Sequence, residues 1–404
     1  MTMITSVPVL IGSEPGSFAE DTIIRRLPEM ARRVIAENYF DEPVNKRLSD
    51  LADDLPHGLI RSLHDRQAAD WQDWEQCLRP WIGQNWLEMP LFAAEMYFYR
   101  RILEATGYFL PGSYQGFDPF RVQKELGLQQ AENALNQIDP LSALTPLERI
   151  HALIALSLWA NQADLSLWPV KGAGGGKAQG GGSRAHLVAD QAEDAMAYIR
   201  ELVCGRVDLI LDNFGSELIF DLLMADALLE KTPRLSVRLH VRPHPCFVSD
   251  VIAPDIQWAI RWMKSFDIGW VSLVGDRLEQ ALKMGRLQVS THFYWGSPIP
   301  AGAMPPGIHR ELGGAGLIIS KGDINYRRWL GDARWEPATP WSEIMQPPAP
   351  LLLLRVLKSD IAAGLQPGQA QDLGRQDPAW MVNGRWGMIQ FVNHGISVHE
   401  VDPG

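Results

Sequence analysis

The stretch Val207–Asp221, VDLILDNFGSELIFD, constrains this 404-residue chain more than any other. Val207–Leu211 is mostly apolar and strand-forming, and it runs directly into Asp212 and Asn213. Phe214-Gly215 then reads as a turn, and Ser216 opens a helical pattern. A strand that ends in two oxygen-bearing side chains and turns into a helix is where an open α/β sheet holds its chemistry. The free N–H groups and positive dipole end of such a helix start suit an anion, phosphate among them.

The chain is long enough for two domains, or for one with a large attached layer, and its 46% hydrophobic and 21% charged residues can bury a substantial core. Lys+Arg 37 against Asp+Glu 48 gives a net charge of −11, and the basic residues form no runs. That balance argues against nucleic acid or an anionic membrane as the main partner. Cys77, Cys204 and Cys246 are too widely spaced for a disulfide framework or a CxxC site, which fits a reducing compartment. MTMITSVPVLIGSEPG lacks the basic-then-apolar pattern of a secretory leader, and apolar windows such as Ala349–Leu354 are too short to span a bilayer. A soluble cytoplasmic protein is expected.

The first half reads as helical. Ser17 and Glu20 have capping-box spacing, and the run from Ile23 to Ile35 is helix-periodic, with Pro28 expected to break it and start a new helix. Trp71, Trp74, Trp81 and Trp86 read as core rather than as a stacking platform. On the helical run that follows, Glu95, Arg100 and Arg101 are open to two readings, ligand contact or an ion-paired face. Helices are predicted over Arg121–Asn136 and Leu147–Gln162, and a helical pattern over His186–Leu202, with no strand before about residue 200. The glycine-rich Lys171–Arg184 departs from the phosphate-binding G-x-x-x-x-G-K-[ST] loop: Lys171 holds the first glycine position, Ala178 follows Lys177, and no strand precedes. It reads as a flexible surface loop, 172–184. A helical N-terminal region, 1–199, is therefore expected before an α/β catalytic domain, 200–404.

Beyond the central turn, Val237, Leu239 and Val241 alternate as a strand in Ser236–Val251, which passes through two prolines to Asp250. Strand-like runs recur at Gly269–Val274, Leu287–Phe293, Ala315–Ile319, Pro350–Leu354 and Gly387–Val392. Helical patterns such as Pro254–Ser265 and Arg277–Met284 separate several of them, which predicts a layered α/β fold with a mostly parallel sheet. His240 and His244 are spaced like metal ligands on a helix, but prolines 243 and 245 favour structural roles. Asp221 and Asp226 read as solvated or capping residues. Asp212, Asn213 and Asp250 form an all-oxygen set suited to Mg²⁺ or Mn²⁺, and able to hold Co²⁺ or Ni²⁺ as well. Lys321, Arg327 and Lys358 would neutralise an anionic substrate, Arg355 adds a further cation, and the sum reads as phosphate chemistry. The haloacid-dehalogenase pattern needs a second Asp where Phe214 stands, and G-x-G-x-x-G, H-E-x-x-H, G-x-S-x-G and CxxC are all missing.

Taken together, DNFGSELIFDLLMAD (212–226), FVSDV (247–251), KGDINYRRW (321–329) and LRVLKSDIAAGL (354–365) resemble the metal-dependent damage-control phosphatase family, once a domain of unknown function. Its third subfamily, with the acidic-residue methyltransferase-like proteins, is most similar. PLFAAEMYFYRRI (90–102) and LWANQADLSL (158–167) support the resemblance. It implies an α/β/α sandwich with a helical N-terminal region, and a cleft in which Asp212, Asn213 and Asp250 hold a divalent metal. It also implies that Asp323, Asn325, Arg327 and Lys358 contact a small phosphorylated metabolite, and that Glu217 makes cofactor or site contacts. The implied substrates are sugar phosphates of the fructose 1-phosphate or fructose 6-phosphate type. The family's Arg-Thr-x-Lys signature stands here as Arg355-Val356-Leu357-Lys358, and Phe214 replaces a small residue. Two other expectations remain: an S-adenosylmethionine-dependent protein-glutamate carboxyl methyltransferase, and a non-catalytic metal- and phosphate-binding protein.

Overall fold

The computed structural model describes residues 7–160, except 56 and 137, and residues 184–393. Most of the glycine-rich segment and residues 161–167 of the supporting motif lie outside the described residues.

Seven described strands form one sheet: β1 (Leu187–Asp190), β2 (Gly205–Ile210), β3 (Leu235–Val241), β4 (Leu287–Thr291), β5 (Leu317–Lys321), β6 (Leu351–Val356) and β7 (Gly387–Val392). Their order is β1-β7-β6-β5-β2-β3-β4, and every neighbouring pair is parallel except β6 with β7. Alternate residues feed two separate apolar cores. Val207, Leu209, Leu317, Ile319, Leu352 and Leu354 enter one, while Ile210, Ile318, Leu351 and Leu353 enter the other. This is the period-two pattern of a sheet covered on both faces, and the fold is the expected layered α/β/α sandwich.

The helix Ser216–Lys231 is buried nearly all round and fills the first core with Pro146–Trp159 and Arg121–Leu135. Leu27–Glu37, Glu42–Asp54 and Leu91–Thr106 pack into the second. The tryptophans belong there too, with Trp74 and Trp86 fully buried. Among the described residues no helix is long and apolar enough to cross a membrane, and all three cysteines are free thiols.

Four expectations change. Gly269–Val274 is not a strand but the start of helix Gly269–Lys283, whose buried Val271, Val274, Leu278 and Ala281 recur at helical spacing; a short apolar run does not separate the two by itself. β1 lies before residue 200, paired with β7, so the sheet begins ahead of the expected 199/200 division. Only four residues long, β1 is too brief to read against its helical surroundings. Pro28 stands in the first turn of the helix Leu27–Glu37, as expected, but no break precedes it: Phe18–Asp21, a wide π-turn at Thr22–Arg26 and Leu27–Glu37 follow one another without a gap. The Leu27 N–H donates to the Thr22 carbonyl, five residues back, and this local widening accommodates a ring that cannot donate in the helical register. The Ser17 cap holds only by half, since Ser17 Oγ accepts from the Glu20 N–H while Glu20 accepts from Gly16.

Five strands, β2 to β6, run the same way. From β2 the chain moves outward through β3 and β4, then returns to place β5 on the opposite side of β2. Such a reversal of strand order leaves a crevice above the carboxyl ends of the two central strands.

Candidate active site

A cleft of about 210 Å³ opens at this reversal, and Asp212, Asn213, Glu217, Asp250, Asp323 and Lys358 all line it. Asp212 follows β2 by two residues. The Asp212 carbonyl accepts from the Val251 N–H at 2.9 Å and the Phe214 N–H donates to the Ser249 carbonyl at 2.5 Å. Asn213 and Asp250 form a bridge between these segments. The loop after β3 is thereby fastened to the end of β2, and distant carboxylates become neighbours. Ser249 Oγ donates to Asn213 Oδ1 at 2.6 Å, and Asn213 Nδ2 donates to Asp212 Oδ2 at 2.8 Å. From the end of β3, Arg242 Nε donates to Asp250 Oδ2 at 2.6 Å.

The other wall is the turn after β5. Gly322 (φ +84°, ψ 169°) joins Lys321 to the helix Asp323–Leu330. A Cβ on Gly322 would stand 1.9 Å from Asp212 Oδ2, so only glycine lets the two strand ends meet. Asn325 Nδ2 donates to the carbonyls of Leu211 (3.0 Å) and Lys321 (2.8 Å), clamping the β2 and β5 ends together. Gly215 caps the helix Ser216–Lys231 at φ +89°, with Gly127 so near that a Cβ would lie 2.9 Å from its Cα. Phe214 is buried and stacks on Trp258, ring centroids 4.7 Å apart, so the bulky residue beside the site packs away from it.

Burial, with Glu217 and Asp250 close by, raises the Asp212 carboxyl well above the usual carboxylate range. Asp250 is also raised, burial outweighing the Arg242 guanidinium. Asp323 moves the other way: burial opposes its charge, but Arg355, Arg327 and Ser359 outweigh it. Asp212 Oδ1 is buried with no hydrogen-bond partner, 3.9 Å from Arg242 Nη2. Among the described residues no three His, Cys, Asp or Glu side chains are gathered closely enough to hold an ion. A divalent ion here would therefore use two carboxylates, Asp212 and Asp250, with the Asn213 amide oxygen. An orphaned carboxyl oxygen and buried carboxyl groups that oppose each other's ionisation fit such an ion, whose charge would favour the ionised form of both.

The expected cations divide. Lys358 is exposed, lines the cleft and makes no ion pair within 4 Å among the described residues. Lys321 lines the cleft, but its ammonium donates to Ser157 Oγ (2.5 Å) and O (2.9 Å), with Asp221 Oδ1 at 3.3 Å. Arg327 is held by Glu95 at 2.5 Å and Asp332 at 2.7 Å. Arg355 binds Asp323 at 2.7 Å and the Ser359–Ile361 loop, and its guanidinium lies over Tyr326. Lys321, Arg327, Arg355 and Asn325 therefore act on the walls of the cleft, whereas Lys358 faces its contents. Each of these three cations, Lys321, Arg327 and Arg355, is offset by a nearby carboxylate, which sequence spacing does not reveal. Glu217 stays with the site, 3.4 Å from Asn213 Nδ2.

Asp221 and Asp226 prove buried rather than solvated: Asp221 is paired with Ser157 and Lys321, and Asp226 with Arg277. His240 and His244 are structural as expected, facing Asp208 at 3.2 Å and Asp70 at 3.3 Å. Arg100 and Arg101 turn to ion pairs with Asp65, Asp70 and Glu104, while Glu95 reaches the cleft. Phe18, Thr22 and Arg26 on the N-terminal helix also line the cleft, as do Tyr99 and Phe247, the latter at a left-handed φ of 52°. Tyr99 and Phe247 fall inside the motifs PLFAAEMYFYRRI and FVSDV, but no motif marks Phe18, Thr22 and Arg26; their four-residue spacing, continued at Met30, is the signal in the sequence that could have found the helix face.

Lys321→Ala is expected to act on stability before chemistry. It would leave Asp221 buried without its cation, which typically costs about 3–5 kcal/mol, read as a lowered urea midpoint. An unchanged midpoint with a raised KM would return Lys321 to the substrate.

Residues 22–373 match the family described as the damage-control phosphatase ARMT1-like domain. The chain belongs to that family. Damage-control phosphatase ARMT1 of Mus musculus is 31% identical over 447 aligned positions, covering 96% of this chain and 99% of that protein. The Homo sapiens protein of the same name is 30% identical, covering 95% and 98%. A solved structure of a DUF89 family protein from Pyrococcus horikoshii aligns with a TM-score of 0.49 and 12% identity, over 91% of this chain and 96% of that one. Membership in the ARMT1-like damage-control family implies a phosphatase, and the cleft at the strand-order reversal is its candidate centre.

Proposed function

We propose that the protein is a divalent-metal-dependent phosphatase that hydrolyses small phosphorylated metabolites, sugar phosphates of the fructose 1-phosphate or fructose 6-phosphate type among them. The observation that carries this reading is Asp212: a buried carboxylate with one orphaned oxygen, crowded by Glu217 and Asp250, sharing a cleft with the exposed Lys358. Asp212, Asp250 and Asn213 would hold the ion, which when bound polarises a phosphoryl oxygen and lowers the pKa of water. Lys358 would stabilise charge on the phosphoryl oxygens as the ester bond breaks. Asp323, fixed by Arg355 and Ser359 and kept ionised, and Glu95 would accept hydrogen bonds from hydroxyls of the organic moiety.

The test is phosphate release from a sugar-phosphate panel with Mn²⁺, Co²⁺, Ni²⁺ or Mg²⁺. No release with any of the four ions would end the proposal. Lys358→Ala is expected to lower kcat by about a hundredfold, the usual effect of removing one donor that stabilises developing charge. Its backbone N–H, not its side chain, contacts Asp323, so the fold should be unaffected. An unchanged kcat would remove Lys358 from the chemistry. Metal affinity is expected to fall as pH falls through the raised carboxyl pKa values, because protons then compete for the same oxygens. Affinity independent of pH by calorimetry would contradict these ligands.

A further inference from the structure

Four cationic side chains line the cleft: Arg26, Lys321, Arg327 and Lys358. Lys321 and Arg327 are neutralised by buried carboxylates. Arg26, like Lys358, makes no ion pair within 4 Å among the described residues. Its contacts are weak ones, a 3.5 Å hydrogen bond to Thr22 Oγ1 and a guanidinium 5.3 Å from the Phe18 ring centroid. The side chain is exposed, yet its charge is felt at the buried Glu95 and Tyr99.

The backbone explains why it points there. In a regular α-helix a residue four positions on lies about 40° beyond a full turn, so Phe18, Thr22, Arg26 and Met30 would drift progressively around the helix. The π-turn at Thr22–Arg26 has more residues per turn and offsets this drift. All four residues consequently line one cleft. The widening that accommodates Pro28 also aims a cation at the site.

We infer that Arg26 is a substrate-binding residue of this centre, whose guanidinium takes phosphoryl oxygens from the N-terminal helix while Lys358 takes them from the loop after β6. The inference rests on the phosphatase reading for the identity of the anion. Arg suits the task because its planar fork binds two phosphoryl oxygens at once, which a lysine does not reproduce.

Arg26→Ala and Arg26→Gln would be compared with wild type in two assays. In turnover of fructose 1-phosphate with Mn²⁺, KM is expected to rise about 10- to 100-fold, more than kcat falls, with the inhibition constant of inorganic phosphate rising in parallel. Arg26→Lys should recover part of the loss. In calorimetry on the Mn²⁺-loaded protein, phosphate affinity should fall by the same factor while Mn²⁺ affinity is unchanged. Altered thermal stability with KM and phosphate affinity at wild-type values would overturn the inference, because that is what a merely structural arginine would give. Phosphate binding to wild type without turnover would sink the phosphatase reading alone, and the calorimetric comparison would still decide Arg26. A wild-type protein that binds no phosphate would overturn the inference outright.

Discussion

Asp212→Asn is expected to lower kcat/KM by on the order of a thousandfold or more, the scale of the several kcal/mol that a divalent ion contributes to phosphoryl transfer. The same substitution should not destabilise the metal-free protein near neutral pH, and should stabilise it. The folded-state carboxyl pKa of Asp212 is raised, so folding favours its protonated form. Stability from this group is full below the unfolded value of 3.8 and is lost as pH rises through the folded value. Asparagine keeps the shape without the charge and escapes that loss. Ligand linkage supplies a second readout: at a hundred times its dissociation constant, an ion stabilises wild type by about 2.7 kcal/mol, and the Asp212→Asn protein should gain little. Equal stabilisation of both proteins by Mn²⁺ in thermal melts would refute the metal assignment, whatever the activity.

Gly322→Ala is the second large effect, and it requires no change at any polar side chain. The methyl would stand 1.9 Å from Asp212 Oδ2, and the φ of +84° with ψ 169° is a conformation essentially confined to glycine. Backbone strain costs about 1–3 kcal/mol, and relief of the clash must displace Asp212 or the β5 turn. A displacement of about 1 Å in a positioned group is typically worth a hundredfold in rate. Both losses should occur together: a lowered urea midpoint and at least a hundredfold lower kcat/KM. Full activity in a folded Gly322→Ala protein would show that the Asp212–Gly322 approach is unimportant to the centre.

Gly322 also shows where sequence reasoning reaches its limit. The strand-turn-helix at 207–221 and most later strands were legible, because alternating apolar residues and flanking turns are local signals. Asp212, Asn213, Asp250 and Lys358 were legible too, as polar residues at strand ends, and they do share one cleft. The helical start at Gly269 and the four-residue β1 were not legible, since short apolar runs fit either period and brief strands depend on their neighbours. Lys321, Arg327 and Arg355 were identified as cations of the site but not as neutralised ones. Their partners Asp221, Glu95, Asp332 and Asp323 are contacts of the folded chain, which no spacing records.

By itself, then, the sequence determined the class of fold and the strand ends that carry the candidate oxygen donors and cations, and it pointed to the kind of chemistry those groups suit. Local patterns decide these, because backbone conformation and face alternation follow from neighbours along the chain. The tertiary structure alone decided which charges are spent on each other and which face the cleft. It also decided that the N-terminal helix, with Arg26, forms part of the wall. Charge compensation depends on distance and burial, and both are set only when β2 and β5 meet at the reversal and the helical layer closes over them.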